Sequence, residues 1–286
     1  MAIMNYETPG ITKIDFEDNI FVTTELDKDT NKEVKEYIEG RGGIIKNSVT
    51  KGTKYLIYRD GKEATTKYKK ALELVQEKDL EINILPLSSF NILCRNKRIV
   101  EFGFYPFDAE GMKKPIKWLV LKEDDKKALL LSAYGLDARP YNEKDEEVTW
   151  ETCMLRKWLN EDFYNIAFSD EEKRRILLTE VENADNPKYH TPGGNDTEDK
   201  IFLMSIDEVE EYLPKEIERR TDSTPYAVKQ GAWTLYNGNC DWLLRSPGSI
   251  AEYIAFVYHN GDIDFGGEFA ESDYFTVCPA LWVNLE

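Results

Sequence analysis

The sequence predicts two modules: an α/β domain over residues 1–95, with a four-stranded parallel sheet flanked by helices, and an α+β domain over residues 96–286. Three observations lead there. In the first 95 residues short β-branched apolar runs alternate with helical periods, in the order β-α-β-β-α-β-α of a sheet with crossover helices. Charge is split unevenly: residues 1–95 hold 15 basic and 16 acidic side chains and the remainder 22 and 38, for a net charge of −17. All six tryptophans lie in the second part. The composition changes at Cys94-Arg95-Asn96-Lys97-Arg98, which places the boundary.

Element by element, Ile20-Phe21-Val22-Thr23 reads as a buried strand, being apolar and β-branched. A helix over 29–38 follows, because Val34, Tyr37 and Ile38 recur at i, i+3, i+4, and Gly40 is a natural stop. Gly42-Gly43 lets the chain turn tightly into the strand Ile44-Ile45-Lys46. Strands at 54–58 and 82–85 bracket a helix over 66–76 that is expected to bury Tyr68, Ala71, Leu72 and Val75. A last helix spans 87–93.

In the second part, strands are expected at 99–105, 116–121 and 128–132. A helix over 150–163 should bury Met154, Leu155, Trp158 and Leu159 on one stripe. Ser169-Asp170-Glu171-Glu172 and Ser205-Ile206-Asp207-Glu208 are capping boxes, the second directly after a strand over 201–204. Residues 185–199, with Pro187, Pro192, Gly193 and Gly194, read as a surface loop. The end is strand-rich, at 242–245, 253–258 and 276–285, with Asn260-Gly261 predicting a two-residue type I′ hairpin turn. Trp118, Trp158 and Trp282 lie in apolar stretches and are expected in the core.

The first module resembles the BRCT domain, the BRCA1 C-terminal module. The residues that carry this are Phe21-Val22-Thr23, Gly42-Gly43, Thr53-Lys54-Tyr55-Leu56-Ile57 and Thr66-Lys67-Tyr68-Lys69-Lys70-Ala71, within residues 11–93. Thr24 stands where the family often has Gly, and Phe90 replaces its usual Trp. The resemblance implies protein docking. It also implies, in members that bind phosphopeptides or a DNA 5′ phosphate, an anion pocket at Thr23, Thr24 and Lys67. The alternative for the same residues is a capping Thr23 and a solvated Lys67.

The second module resembles an uncharacterised bacterial domain family over residues 99–286. The motifs are Phe102-Gly103-Phe104-Tyr105, 115–121, Leu155-Arg156-Lys157-Trp158-Leu159-Asn160, 199–205, Trp242-Leu243-Leu244-Arg245-Ser246-Pro247 and Pro279-Ala280-Leu281-Trp282. Cys278 stands where that family commonly has Arg. Its tail looks C-type-lectin-like and sulfatase-modifying-factor-like, so the loop-rich end carries the expected ligand surface: Trp233, Tyr236, Arg245 and Tyr258. Arg245 has a second reading, as a buried arginine paired with an acid or with backbone carbonyls.

Chemistry-bearing material is sparse. Two histidines leave little for a His-based triad or metal site, and Cys94, Cys153, Cys240 and Cys278 form no CxxC pair. No catalytic residue, metal or cofactor is expected. The acidic group Asp262, Asp264, Glu268, Glu271 and Asp273 reads as a solvated hairpin face. No apolar run approaches the ~18 residues a membrane span requires, residues 1–12 lack a signal-peptide pattern, and scattered cysteines suit a reducing cytoplasm. Net negative charge disfavours general nucleic-acid affinity. The expectation is a cytoplasmic, non-enzymatic adaptor that docks a protein partner, phosphorylated or not. Recognition of DNA ends and an enzyme in the second module stand as alternatives.

Overall fold

The structure is a computed structural model that describes residues 4–5, 13–78, 80–95, 97–144, 146–235 and 238–285. The chain divides into two compact units, residues 7–96 and residues 97–286, the latter joined by residues 1–6. The assignment of the N-terminus to the first module is thereby corrected: β1 (Met4–Asn5) pairs antiparallel with Val100 and Glu101 of the second unit.

In the first unit β2 (Ile20–Thr24), β3 (Ile44–Lys46), β4 (Thr53–Tyr58) and β5 (Asn83–Pro86) form a wholly parallel sheet in the order β3-β2-β4-β5. The helices are α1 (Lys28–Glu39), α2 (Thr66–Lys78) and α3 (Leu87–Cys94). The Asp27 carboxylate caps α1 by accepting from the Asp29 and Thr30 N–H groups. Phe21, Val22, Leu56 and Ile57 are fully buried, and Phe21 stacks on Tyr55 at 4.5 Å. The two turn glycines act differently. Gly42 takes φ +84°, a left-handed value, whereas a Cβ on Gly43 would lie 2.4 Å from Ile38 Cγ2.

The second unit holds two five-stranded sheets. The first contains β1, β6 (Ile99–Pro106), β7 (Lys113–Glu123) and β8 (Lys127–Ser132). After the short β9 (Tyr134–Gly135) comes β10 (Asp137–Ala138), which opens the second sheet. β11 (Thr179–Val181) pairs with β12 (Thr197–Asp199), and β13 (Asp222–Ser223) with β9. β14 (Trp242–Pro247), β15 (Tyr253–Val257), β16 (Ile263–Phe269) and β17 (Thr276–Val277) complete the second sheet in the order β10-β17-β14-β15-β16. β18 (Ala280–Asn284) closes the first, next to β8. The expected single strand over 276–285 is thus two strands in different sheets, divided at Cys278-Pro279.

Four other expectations change. The helix expected over 150–163 begins at Met154, because residues 149–153 form a turn on the Thr149 carbonyl and Cys153 is the N-cap. It passes through a π turn at Leu159–Phe163 and ends at Ala167; Leu155, Leu159 and Phe163 are buried, Met154 is exposed and Trp158 half-buried. Residues 201–204 are fully buried but form one isolated bridge, Phe202 to Ala280, and much of their remaining backbone is served by side chains. Asn160 bonds both the N–H and carbonyl of Ile201, and Arg245 the carbonyl of Leu203, while the Met204 carbonyl accepts the Arg245 backbone N–H. The 185–199 segment is no simple surface loop, since its Asn186 is fully buried and donates to the carbonyls of Pro247, Gly248 and Phe265. At the hairpin, Gly261 N–H donates to the Tyr258 carbonyl at 2.8 Å and positive φ occurs at Gly261 but not Asn260. That is a turn followed by a left-handed glycine rather than type I′.

Candidate functional site

The residues of the expected anion pocket in the first unit lie at the C-terminal end of β2. Thr23 is the penultimate residue of the strand, which Thr24 closes, and Asp27 caps α1 in time to bring Asn31 to the Thr23 side chain. The Thr23 hydroxyl donates to Asn31 Oδ1 at 2.7 Å. From the first turn of α2, Lys67 reaches back and donates from Nζ to the Thr23 carbonyl at 2.9 Å. Thr23, Thr24 and Lys67 therefore converge, the two threonines buried and Lys67 half-buried. Burial, together with the Lys35 charge, lowers the Lys67 pKa, and Glu25 opposes that shift. The ammonium spends one of its three donors on Thr23. The Thr23 hydroxyl proton goes to Asn31, so it is not aimed at a ligand as the resemblance implied. Asn31 lacks a signal of its own in the sequence; only the eight-residue spacing across a strand-to-helix turn brings it there.

In the second unit the motifs that carry the family likeness converge on the interior. Asp199, 1% exposed, accepts from Trp150 Nε1 at 2.9 Å, Thr197 Oγ1 at 2.7 Å and Arg156 Nε at 2.7 Å. Asn160 Oδ1 accepts the Lys200 N–H. Arg245 is 4% exposed: it is ion-paired with Glu208 and donates to the carbonyls of Leu203 and Glu182. Its assignment to a ligand surface is corrected, and its second reading, a buried arginine on an acid and carbonyls, describes it. Glu208 in turn caps the helix opened by Ser205.

The remaining surface residues behave otherwise. Trp233 is 44% exposed and Tyr258 37%. Tyr236 lies outside the described residues. Trp118 is fully buried, but Trp282, like Trp158, is only half-buried, which corrects their placement in the core. Trp233 meets His259 edge-on at 5.4 Å. His259 Nδ1 lies 2.9 Å from Asp241 Oδ1, which also accepts the His259 backbone N–H. The Tyr258 hydroxyl donates to Asp264 at 2.7 Å, and that bond pushes its pKa up to about 12. Tyr274, also exposed, has its pKa raised by burial and by the charges of Glu268 and Asp241. The result is an aromatic patch edged with carboxylates; Asp241 was not anticipated, being 18 residues from its histidine.

All four cysteines are buried, and burial raises the thiols of Cys153 and Cys240 to about 12. Among the described residues no group of three or more His, Cys, Asp or Glu side chains is arranged to hold a metal ion. No helix among them is long and apolar enough to cross a membrane.

Comparison with known proteins follows the same division. The family named Domain of unknown function (DUF6273) matches residues 125–285, more than half the chain, and the chain belongs to it. Residues 13–75 match the BRCA1 C Terminus (BRCT) domain and form such a domain. A DNA ligase of Acanthamoeba polyphaga mimivirus is 39% identical over 61 residues, 21% of this chain but 9% of the ligase. The chain thus covers under a tenth of that relative. No solved structure matches, so the C-type-lectin-like likeness of the second unit has no structural match behind it.

Proposed function

We propose that the chain is a non-enzymatic cytoplasmic adaptor whose BRCT domain docks a protein partner, with Lys67 taking an acidic or phosphorylated group of that partner. The observation that carries this reading is the Lys67 ammonium held 2.9 Å from the Thr23 carbonyl, at the end of a buried parallel sheet. A lysine fixed from behind by a carbonyl has donors left for an anion. The second unit supplies a further ligand surface around Trp233 and Tyr258, and its C-type-lectin-like character belongs to the same proposal, supported by that exposed aromatic patch alone.

Calorimetry of the full chain with paired phosphorylated and unmodified peptides tests the anion. Lys67→Ala should weaken binding of the phosphorylated member by about 1.5–3 kcal/mol, the scale of a hydrogen bond to a charged group. Thr23→Val should cost less, since its hydroxyl already serves Asn31. Because the Lys67 pKa is lowered, the phosphate preference should fade on the alkaline side sooner than for an ordinary lysine. A wild type indifferent to phosphorylation ends the anion reading and leaves plain protein docking.

One observation favours a second reading, recognition of DNA ends: the matched relative is named a DNA ligase. The net charge of −17 opposes it. Sub-micromolar binding of a 5′-phosphorylated duplex at physiological salt would reverse the order of the two.

A further inference from the structure

A cavity of about 330 Å³ opens beside the helix that starts at Met154. That volume is at the lower end of small-molecule sites, ~300–1,000 Å³. Its most informative lining residue is Arg139, just past β10. The Arg139 guanidinium lies over the Trp158 ring at 4.3 Å, and its Nε stands 3.6 Å from Asp137 Oδ2. Asp137 is almost fully buried and accepts from the Tyr105 hydroxyl at Oδ2, 2.6 Å, and from the Ala138 N–H at Oδ1, 2.9 Å. At 3.6 Å Arg139 is ion-paired with Asp137 rather than closely hydrogen-bonded, and its Nε is buried with no closer partner among the described residues. Trp158 is itself braced by Phe163 at 5.5 Å, and Phe163 by Tyr105 at 5.0 Å. The guanidinium is thus held between Asp137 and the Trp158 face with its Nε sealed off on the Asp137 side, and its terminal nitrogens are the donors left for a ligand; a planar pair of donors suits a carboxylate.

The rest of the lining narrows the ligand. Met154, Leu155 and Pro140 supply apolar contact. Glu143, Glu161 and Asp162 also line the cavity, against Lys157 as the other cation. Two cations against three carboxylates repel a multiply charged anion such as phosphate, whereas a ligand that carries its own ammonium turns those carboxylates into partners. We propose that this cavity binds a small zwitterion of the α-amino-acid class, its carboxylate on Arg139, its apolar side chain against Met154 and Leu155, and its ammonium toward Glu143, Glu161 and Asp162. The site lies within the second unit and does not depend on the Lys67 corner.

Titration calorimetry on the full chain tests this with L-methionine, L-leucine and L-phenylalanine, each alongside its amide and its N-acetyl derivative. At least one free amino acid should bind saturably, and capping either end should weaken it by about tenfold or more, as expected when a site's polar groups lose their partners. Arg139→Gln should erase the preference for acid over amide. Met154→Trp, which fills the cavity from an exposed position, should abolish binding with Tm unchanged. If Arg139→Gln lowers Tm, the capped ligands and Met154→Trp decide alone. Saturable binding by none of the three, equal affinity for the capped forms, or binding that survives Met154→Trp would each overturn the assignment.

Discussion

The two units use the polar residues of their family-like motifs in opposite ways. In the BRCT domain Thr23 and Lys67, which carry the family resemblance, meet at the end of the sheet, where half-buried Lys67 donates to the Thr23 carbonyl and is proposed to take an external anion with its remaining donors. In the DUF6273 unit Arg156, Asn160, Asp199 and Arg245 turn inward and bind one another or the backbone. A conspicuous polar motif is therefore no guide to a ligand until its exposure is known. A buried polar group must be hydrogen-bonded or it costs stability, so a polar motif can be required by the fold alone.

The largest effect that would sharpen this contrast comes from Asp199→Ala. It leaves the Trp150 indole N–H buried without an acceptor and removes the anion facing Arg156. Breaking a buried pair from one side is costly; about 3 kcal/mol is expected, the low end of the usual range, because Arg156 stays a quarter exposed. All six tryptophans belong to the second unit, so their fluorescence during urea unfolding of the full chain reports that unit alone. An unmoved tryptophan transition would break the contrast, since the network would then contribute nothing to stability.

How much of this was legible in the sequence follows from where the hydrogen bonds go. The elements of the first unit could be read almost completely, because they are stabilised by backbone ladders and by apolar periods such as Val34 and Ile38, which are local signals, although α2 buries Ala71 and Leu74 and leaves Tyr68, Leu72 and Val75 half-buried. The convergence of Thr23 with Lys67 was legible for the same reason: a parallel sheet places strand ends and helix starts together. The 201–204 segment was misread because its backbone bonds run to Asn160 and Arg245, some 40 residues away, which no local pattern announces. Burial of Asn186 inside a Pro/Gly-rich stretch is of the same kind. Arg139 gave no signal at all, since its place over Trp158 depends on tertiary packing.

A smaller effect tests the first unit separately. Gly43→Ala puts a Cβ against Ile38 Cγ2 and within 3.1 Å of Phe21, both fully buried and unable to retreat freely. Overpacking of this sort costs about 1–3 kcal/mol. Loss should appear in far-ultraviolet circular dichroism while tryptophan fluorescence holds its midpoint. Joint movement of both signals would mean that the two units unfold together, and the comparison would have to be redrawn for a single cooperative body.

The smallest expected effect is Trp233→Ala, and its smallness is the point. Trp233 is 44% exposed and touches His259 only edge-on, whereas Trp150 and Trp242 are fully buried and donate from their indole nitrogens to Asp199 and to the Arg219 carbonyl. Removing an exposed ring that closes no hydrogen-bond network leaves no cavity and no orphaned donor, so stability should stay within about 0.5 kcal/mol of wild type. A ligand surface is expected to be expendable in this way, because its contacts are completed by something other than the chain. Should Trp233→Ala instead lower the urea midpoint by the equivalent of more than about 1 kcal/mol, well beyond the usual surface range, the indole would be closing the fold over His259 and Asp241. The patch would then join Asp199 and Arg245 as architecture, and the second unit would lose the exposed aromatic surface on which its proposed ligand-binding role rests.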